Sequence, residues 1–318
     1  MTSEQTMTNI NSGTDEICGF KLPGTIVPPL TPFTDAGEVD YDRLEAIVDY
    51  VIEDCDASMV IVAGVEAQEY QFLTLEARKQ LIDRTLFFVD RRRPTVVGVS
   101  HPSVRIAAEL GQFAHDHGAD AIQLLAPLRP TGGAATTEDL VRYFEAVLAE
   151  TDLPMMLYLN AGPGADVSVP ATIELAKLDR IHYVKESSRD LARVSRLIAE
   201  IEGGGHARYF TTMQMWLATL TLGGSGVTLP PPAAHLARRI ADAAVAGDFA
   251  EASRLQAQVS LWPARWMGHG LAAVMKASLS YLGVPAGDPY PPYAPLSGDA
   301  LASLHAQLDK MDLVKKGG

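Results

Sequence analysis

Only two cysteines, Cys18 and Cys55, occur in the 318 residues. They are too few for a disulfide framework and lack metal-ligand spacing, so a reducing, cytoplasmic setting is expected. Basic charge is scarce as well: 26 Lys and Arg stand against 39 Asp and Glu, a net charge of −13 at pH 7. Such a surface repels phosphate backbones and anionic lipid, so neither nucleic acid nor a membrane is an expected partner. No apolar run approaches the roughly 18 residues that a membrane span needs. The opening stretch MTSEQTMTNINSGTDE has neither a basic start nor an apolar centre and does not read as a signal peptide. Residues 1–19 are expected to form a flexible tail. A Gly-x-Gly-x-x-Gly fingerprint is also missing after the first apolar run, which removes the main mark of a dinucleotide-binding, doubly wound sheet.

What is present is alternation. Hydrophobic residues make up 47% of the chain, enough for a large core without staples. From Gly24 onward, short β-branched runs recur between amphipathic stretches. Eight strands are expected, at Thr25–Leu30, Ser58–Ala63, Thr95–Val99, Ala121–Ala126, Pro154–Leu159, Ile181–Lys185, Arg208–Thr211 and Gly226–Leu229. Between them, DYDRLEAIVDYVIEDC puts Leu44, Ile47, Val48, Val51 and Ile52 on one helical face. Thr74 suits an N-cap, with Ala77 as the third helical residue, and TTEDLVRYFEAVLAE opens on Thr and acids as a helix should. Strands that alternate with helices pair in parallel through crossovers, and eight such units fit an α/β fold of the (β/α)8 TIM-barrel type. The barrel is expected over residues 20–232. Residues 233–318 then supply its last helix and a C-terminal helical subdomain, with Gly247 breaking one helix and Asp248 capping the next.

Barrel chemistry sits at the carboxyl ends of the strands, which directs the search for a site. Strand six ends in Val184-Lys185-Glu186, and strand five in Tyr158-Leu159-Asn160. A lysine ending an apolar run lies at the barrel mouth, where burial lowers its pKa and readies the amine as a nucleophile. A tyrosine at the same height on the adjacent strand can move protons. Position alone leaves Lys185 open between that role and a lysine that caps carbonyls or pairs with Glu186. His115-Asp116-His117 ends a helix, where histidine is favourable without any metal.

Five segments, in order, make the chain resemble the dihydrodipicolinate synthase / N-acetylneuraminate lyase family from Phe20 to Leu313. They are GTIVPPLTPF, LYLN, VKESSRD, LGGSGV and AAVMKASLSYLGV. The third is similar to the family's Lys-Glu-Ala-Ser-Gly-Asp. The resemblance implies a class I, Schiff-base aldolase in which Lys185 forms an imine with an α-keto acid while Tyr158 moves protons. It implies no metal or organic cofactor, small-molecule partners (a keto acid and an aldehyde), and a homotetramer or homodimer.

The chain departs from the family in its loops. The usual Gly-Thr-Thr-Gly-Glu after strand two is Gly64-Val65-Glu66-Ala67-Gln68-Glu69 here. The amides of Val65 and Glu66 remain able to hold a carboxylate. The Glu66 side chain turns away, meets a different substrate group, or acts as a neutral acid. The Tyr-Tyr pair of the strand-four loop is replaced by Ala126–Pro130, where Arg129 either grips an anion on the second substrate or is a surface residue. After Tyr158 no arginine follows in Asn160–Gly164, which argues against the lysine-pathway reaction itself. Asn160, Thr211, Gly224 and Ser225 are further candidate substrate contacts. Met213, Met215 and Trp216 either form an apolar wall suited to a long or aromatic aldehyde or belong to the core. The expected activity is carbon–carbon bond making or breaking beside a keto acid. Dehydration of a deoxy-keto-sugar acid by the same imine, or keto-acid binding without turnover, are the alternatives.

Overall fold

The computed structural model of the chain describes residues 13–65, 69–127, 134–160 and 167–316. Eight parallel strands close on themselves in the order of the sequence. They are β1 (Gly24–Val27), β2 (Met59–Val62), β3 (Thr95–Gly98), β4 (Ala121–Leu125), β5 (Met155–Leu159), β6 (Ile181–Glu186), β7 (Arg208–Thr212) and β8 (Gly226–Thr228). Closure is made by β1 on β8, where Thr25 pairs with Val227. The fold is therefore a (β/α)8 barrel rather than an open sheet.

Local chemistry places the helices. The first, α1 (Tyr41–Asp49), starts where the Asp40 carboxylate accepts the Arg43 amide at 3.1 Å, and a wider π turn carries it on through Asp54. Leu44, Ile47, Val48, Val51 and Ile52 are all buried, as their spacing predicts. Thr74 caps α2 (Leu75–Val89) by accepting the Ala77 amide at 3.2 Å. The outer ring continues with α3 (Val104–Asp116), α4 (Thr137–Leu148), α5 (Val169–Ala176), α6 (Leu191–Leu197), α7 (Trp216–Thr221) and α8 (Pro231–Val245). Thr136 and Asp139 close a reciprocal capping box at the start of α4. Beyond the barrel lie α9 (Phe249–Leu261), capped by Asp248, then α10 (Leu271–Tyr281) and α11 (Gly298–Leu308).

Side chains alternate across each strand, so two cores form. The larger lies between barrel and helices and holds residues such as Val60, Leu124, Leu157 and Val184. The smaller fills the barrel's amino end with Ile26, Met59, Ile61, Val96, Met156, Tyr183 and Phe210. Residues 13–19, expected to be tail, belong to this floor. Asp15 is 2% exposed and accepts hydrogen bonds from the Tyr183 hydroxyl at 3.0 Å and from the amides of Ile17 and Cys18. Phe20 packs on Tyr183 and Phe210 with ring centroids 6.4 and 6.1 Å away. The chain is therefore folded from Gly13 on, where a buried carboxylate and a plug of aromatic rings hold it.

Gly226 shows how tight this floor is. A Cβ there would lie 2.4 Å from the Gly24 carbonyl oxygen and 2.4 Å from the Phe210 ring. One obstacle is backbone and the other a fully buried ring, so neither yields cheaply. Gly226→Ala is expected to destabilise the fold by about 3 kcal/mol, the upper end of ordinary overpacking. Thermal melting checks this, and an unchanged midpoint would show that the β1–β8 seam has slack.

Candidate active site

Lumen parity sets the site. Counting two residues on from the floor, Met156 leads to Tyr158, Tyr183 to Lys185, Phe210 to Thr212 and Gly226 to Thr228. All four of these later residues line a cavity of about 620 Å3 at the carboxyl ends of the strands. Tyr158 and Lys185 are direct partners in the β5–β6 register, and each is 3% exposed. The Lys185 Nζ lies 3.7 Å from the centre of the Tyr158 ring and donates to the Ser187 Oγ at 2.8 Å. Ser187 Oγ in turn stands 3.4 Å from the Tyr158 hydroxyl. Amine, serine and phenol thus form one contiguous polar group at the carboxyl end of the strand pair.

Glu186 takes the other side of β6. It is fully buried and accepts from Arg193 Nε at 3.0 Å, Tyr209 Oη at 3.1 Å and the Ser188 amide at 3.2 Å. Burial, with the Glu186 carboxylate next to it, holds the Tyr209 phenol well above its usual pKa, so it remains a neutral donor. This carboxylate pairs with Arg193 from α6 and not with Lys185, because consecutive strand residues face opposite ways. The network pins the end of the strand that presents the amine.

Val65 and Asn160 line the same cavity. Glu66 and Arg129 lie outside the described residues. Thr211 does not line the cavity: it faces the helices, fully buried, and its neighbour Thr212 takes the lumen position. Gly224 and Ser225 also stand away from it. They precede β8, at the opposite end of the barrel, where Ser225 donates to Glu202 through its hydroxyl and, at 2.9 Å, through its amide. The two corrections have separate causes: a one-residue step changes the face of Thr211, and Gly224 and Ser225, which precede a strand, belong to the floor. Trp216 is core, 1% exposed, with its indole N–H on the Ala237 carbonyl at 2.9 Å.

Several lining residues carry no mark in the sequence pattern. Thr228 is one: its hydroxyl is buried, reaches the cavity and has no hydrogen-bond partner among the described residues. Parity from Gly226 is the signal that finds it. Ser260, Ala264, Met267 and Leu271 come from the C-terminal helical segment, which closes over one side of the mouth. Gln256 on α9 fastens that side, donating to the Met213 carbonyl and accepting the Leu217 amide, each at 2.9 Å. No local periodicity reports such long-range closure.

A sequence profile of the Dihydrodipicolinate synthetase family matches residues 21–311. The chain is 31% identical over 246 residues to the 4-hydroxy-tetrahydrodipicolinate synthase of Methanothermobacter thermautotrophicus, covering 74% of this chain and 83% of that one. The Enterococcus faecalis synthase is 30% identical over 272 residues, 83% and 90% of the two chains. Among solved structures, YagE from E. coli K12, a prophage protein of the dihydrodipicolinic acid synthase family in complex with pyruvate, superposes with a TM-score of 0.82. The match has 26% identity and covers 91% of this chain and 98% of that one. The pyruvate complex of N-acetylneuraminate lyase from Fusobacterium nucleatum shares the fold at 19% identity and a TM-score of 0.81, over 91% and 97% of the chains. With a profile match over nearly its whole length and a lysine–tyrosine pair at the barrel mouth, the chain belongs to the dihydrodipicolinate synthetase family.

Proposed function

We propose that the protein is a Schiff-base-forming lyase, a class I aldolase that makes or cleaves the carbon–carbon bond beside an α-keto acid such as pyruvate. The observation that carries this reading is the buried Lys185 amine set against Tyr158, with Ser187 touching both. Family membership supports it, as does the pyruvate bound to two of the structural relatives. The amine adds to the keto carbon to give a carbinolamine. Tyr158 supplies the proton with which the hydroxyl leaves as water, and Ser187 relays between phenol and amine. The resulting iminium draws electrons from the adjacent carbon, which loses a proton and becomes an enamine. Attack on an aldehyde forms the new bond, the aldehyde oxygen takes up a proton, and water releases Lys185. Cleavage runs the same steps backwards.

The lysine-pathway synthase reaction is not part of this reading. Asn160–Gly164 contains no arginine and Ala126–Pro130 no tyrosine, so the sequence lacks both groups on which that reaction's second substrate depends. Reduction with borohydride in the presence of pyruvate tests the proposal. A reduced pyruvyl adduct mapped to Lys185 is expected, and an unchanged intact mass would rule the imine out. Tyr158→Phe keeps the ring beneath the Lys185 Nζ and removes only the hydroxyl. It should slow turnover by roughly a hundred- to a thousandfold, the usual worth of a placed acid–base group. Its melting midpoint should stay that of the wild type, and full activity would move the proton role elsewhere.

A further inference from the structure

The cavity that holds Lys185 has a second cation on its wall. Arg189 stands between β6 and Asp190, at the exposed rim, and lines the same space. No Asp or Glu lines this cavity among the described residues, in a chain with 39 acidic residues. Nearby charges are already committed. Asp190 caps α6 by accepting the Ala192 and Arg193 amides, Arg193 holds Glu186 at 3.0 Å, and Arg196 holds Glu200 at 2.5 Å. Arg189 makes no hydrogen bond or ion pair with any described residue. Met213, Pro263, Met267 and Leu271 give the cavity an apolar stretch as well.

We propose that the aldehyde which joins the keto acid is an apolar chain ending in a carboxylate, and that Arg189 grips this terminal anion. This rests on the Schiff-base reading of Lys185. A guanidinium presents its donors in a planar fork that matches a carboxylate, and at a cavity rim it also steers anions inward. A phosphate monoester, nearly dianionic, needs more positive charge than one arginine supplies. The only other cation on the described wall, Lys185, is consumed as the imine. The methionines and Leu271 cover the intervening methylenes, so the carboxylate is presented at one end and the aldehyde carbon at the other.

The test follows pyruvate consumption with 6-oxohexanoate, its neutral counterpart hexanal, and a phosphorylated aldehyde, glyceraldehyde 3-phosphate. The wild type should prefer 6-oxohexanoate over hexanal in kcat/KM by about ten- to a hundredfold, the worth of a charge-assisted hydrogen bond. Arg189→Ala should remove that preference through KM, leave hexanal unaffected, and still give the borohydride adduct of pyruvate on Lys185. Equal use of the two aldehydes, preference for the phosphorylated one, or consumption of none with the adduct intact would each overturn the proposal. Absence of the adduct from the wild type would instead sink the imine itself, and the role of Arg189 with it.

Discussion

In Lys185→Met, borohydride and pyruvate leave the intact mass unchanged, and kcat falls by roughly a thousandfold or more, as when a covalent nucleophile is deleted. Methionine keeps an unbranched chain of similar length in the lumen, so the fold is expected to survive and circular dichroism should be that of the wild type. The loss then belongs to the amine. Lys276 is the other buried lysine among the described residues, and it offers no substitute. Its Nζ is held by Glu69 Oε2 at 2.6 Å and by the Asp288 carbonyl at 2.7 Å, and it lies over the Phe33 ring. Trapping that persists in the variant and maps to another lysine would show that the wrong amine has been assigned.

Lys276→Met should lower stability by roughly 3–5 kcal/mol, because it strands a buried carboxylate. Burial pulls the Lys276 pKa below its ordinary value, and the Glu69 carboxylate beside it acts in the opposite direction. Glu69 is 8% exposed and also accepts the Tyr290 amide at 2.9 Å. Tyr290 stacks on Phe72 at 5.0 Å and meets Phe33 edge-on at 4.9 Å. The pair therefore clamps α10 and the chain after it to the loop beyond β2, where Val65 lines the cavity. A fall in the melting midpoint of roughly 5–15 °C is expected. Affinity for the keto acid should weaken with it. The double variant Lys276→Met/Glu69→Leu should regain most of the lost stability, since replacing both partners removes the unpaired charge. A single variant that melts like the wild type would show that water reaches Glu69 and relieves it.

Much of this was legible in the residues. All eight strands lie within three residues of their expected ends, because β-branched runs bounded by Gly, Pro and Asp leave little choice. Lys185 and Tyr158 were readable because they close adjacent apolar strands within family-like segments; position alone left Lys185 open between a nucleophile and a lysine paired with Glu186. Thr211 was misplaced by one residue, and in a strand one residue is the other face. Parity counted from Phe210 would have selected Thr212, and from Gly226, Thr228. The floor was not legible, since Asp15 and Tyr183 are 168 positions apart and no periodicity joins them. Lys276 and Glu69, 207 positions apart, are equally silent for the same reason. The helical segment over the mouth reads as ordinary helix, and only closure of the chain makes Met267 and Leu271 part of a site.

The filled floor also governs the direction of attack. Met156, Tyr183 and Phe210 occupy the lumen directly beneath Tyr158 and Lys185, so the barrel is a cup rather than a pipe. On the proposed Schiff-base reading, a planar enamine on Lys185 would have one face against those side chains and the other toward the opening. The incoming carbonyl can approach from the open face alone, and the new stereocentre at the attacked carbon is set by how that carbonyl is held. The plug fixes the side of attack, and the residues that hold the carbonyl fix the configuration.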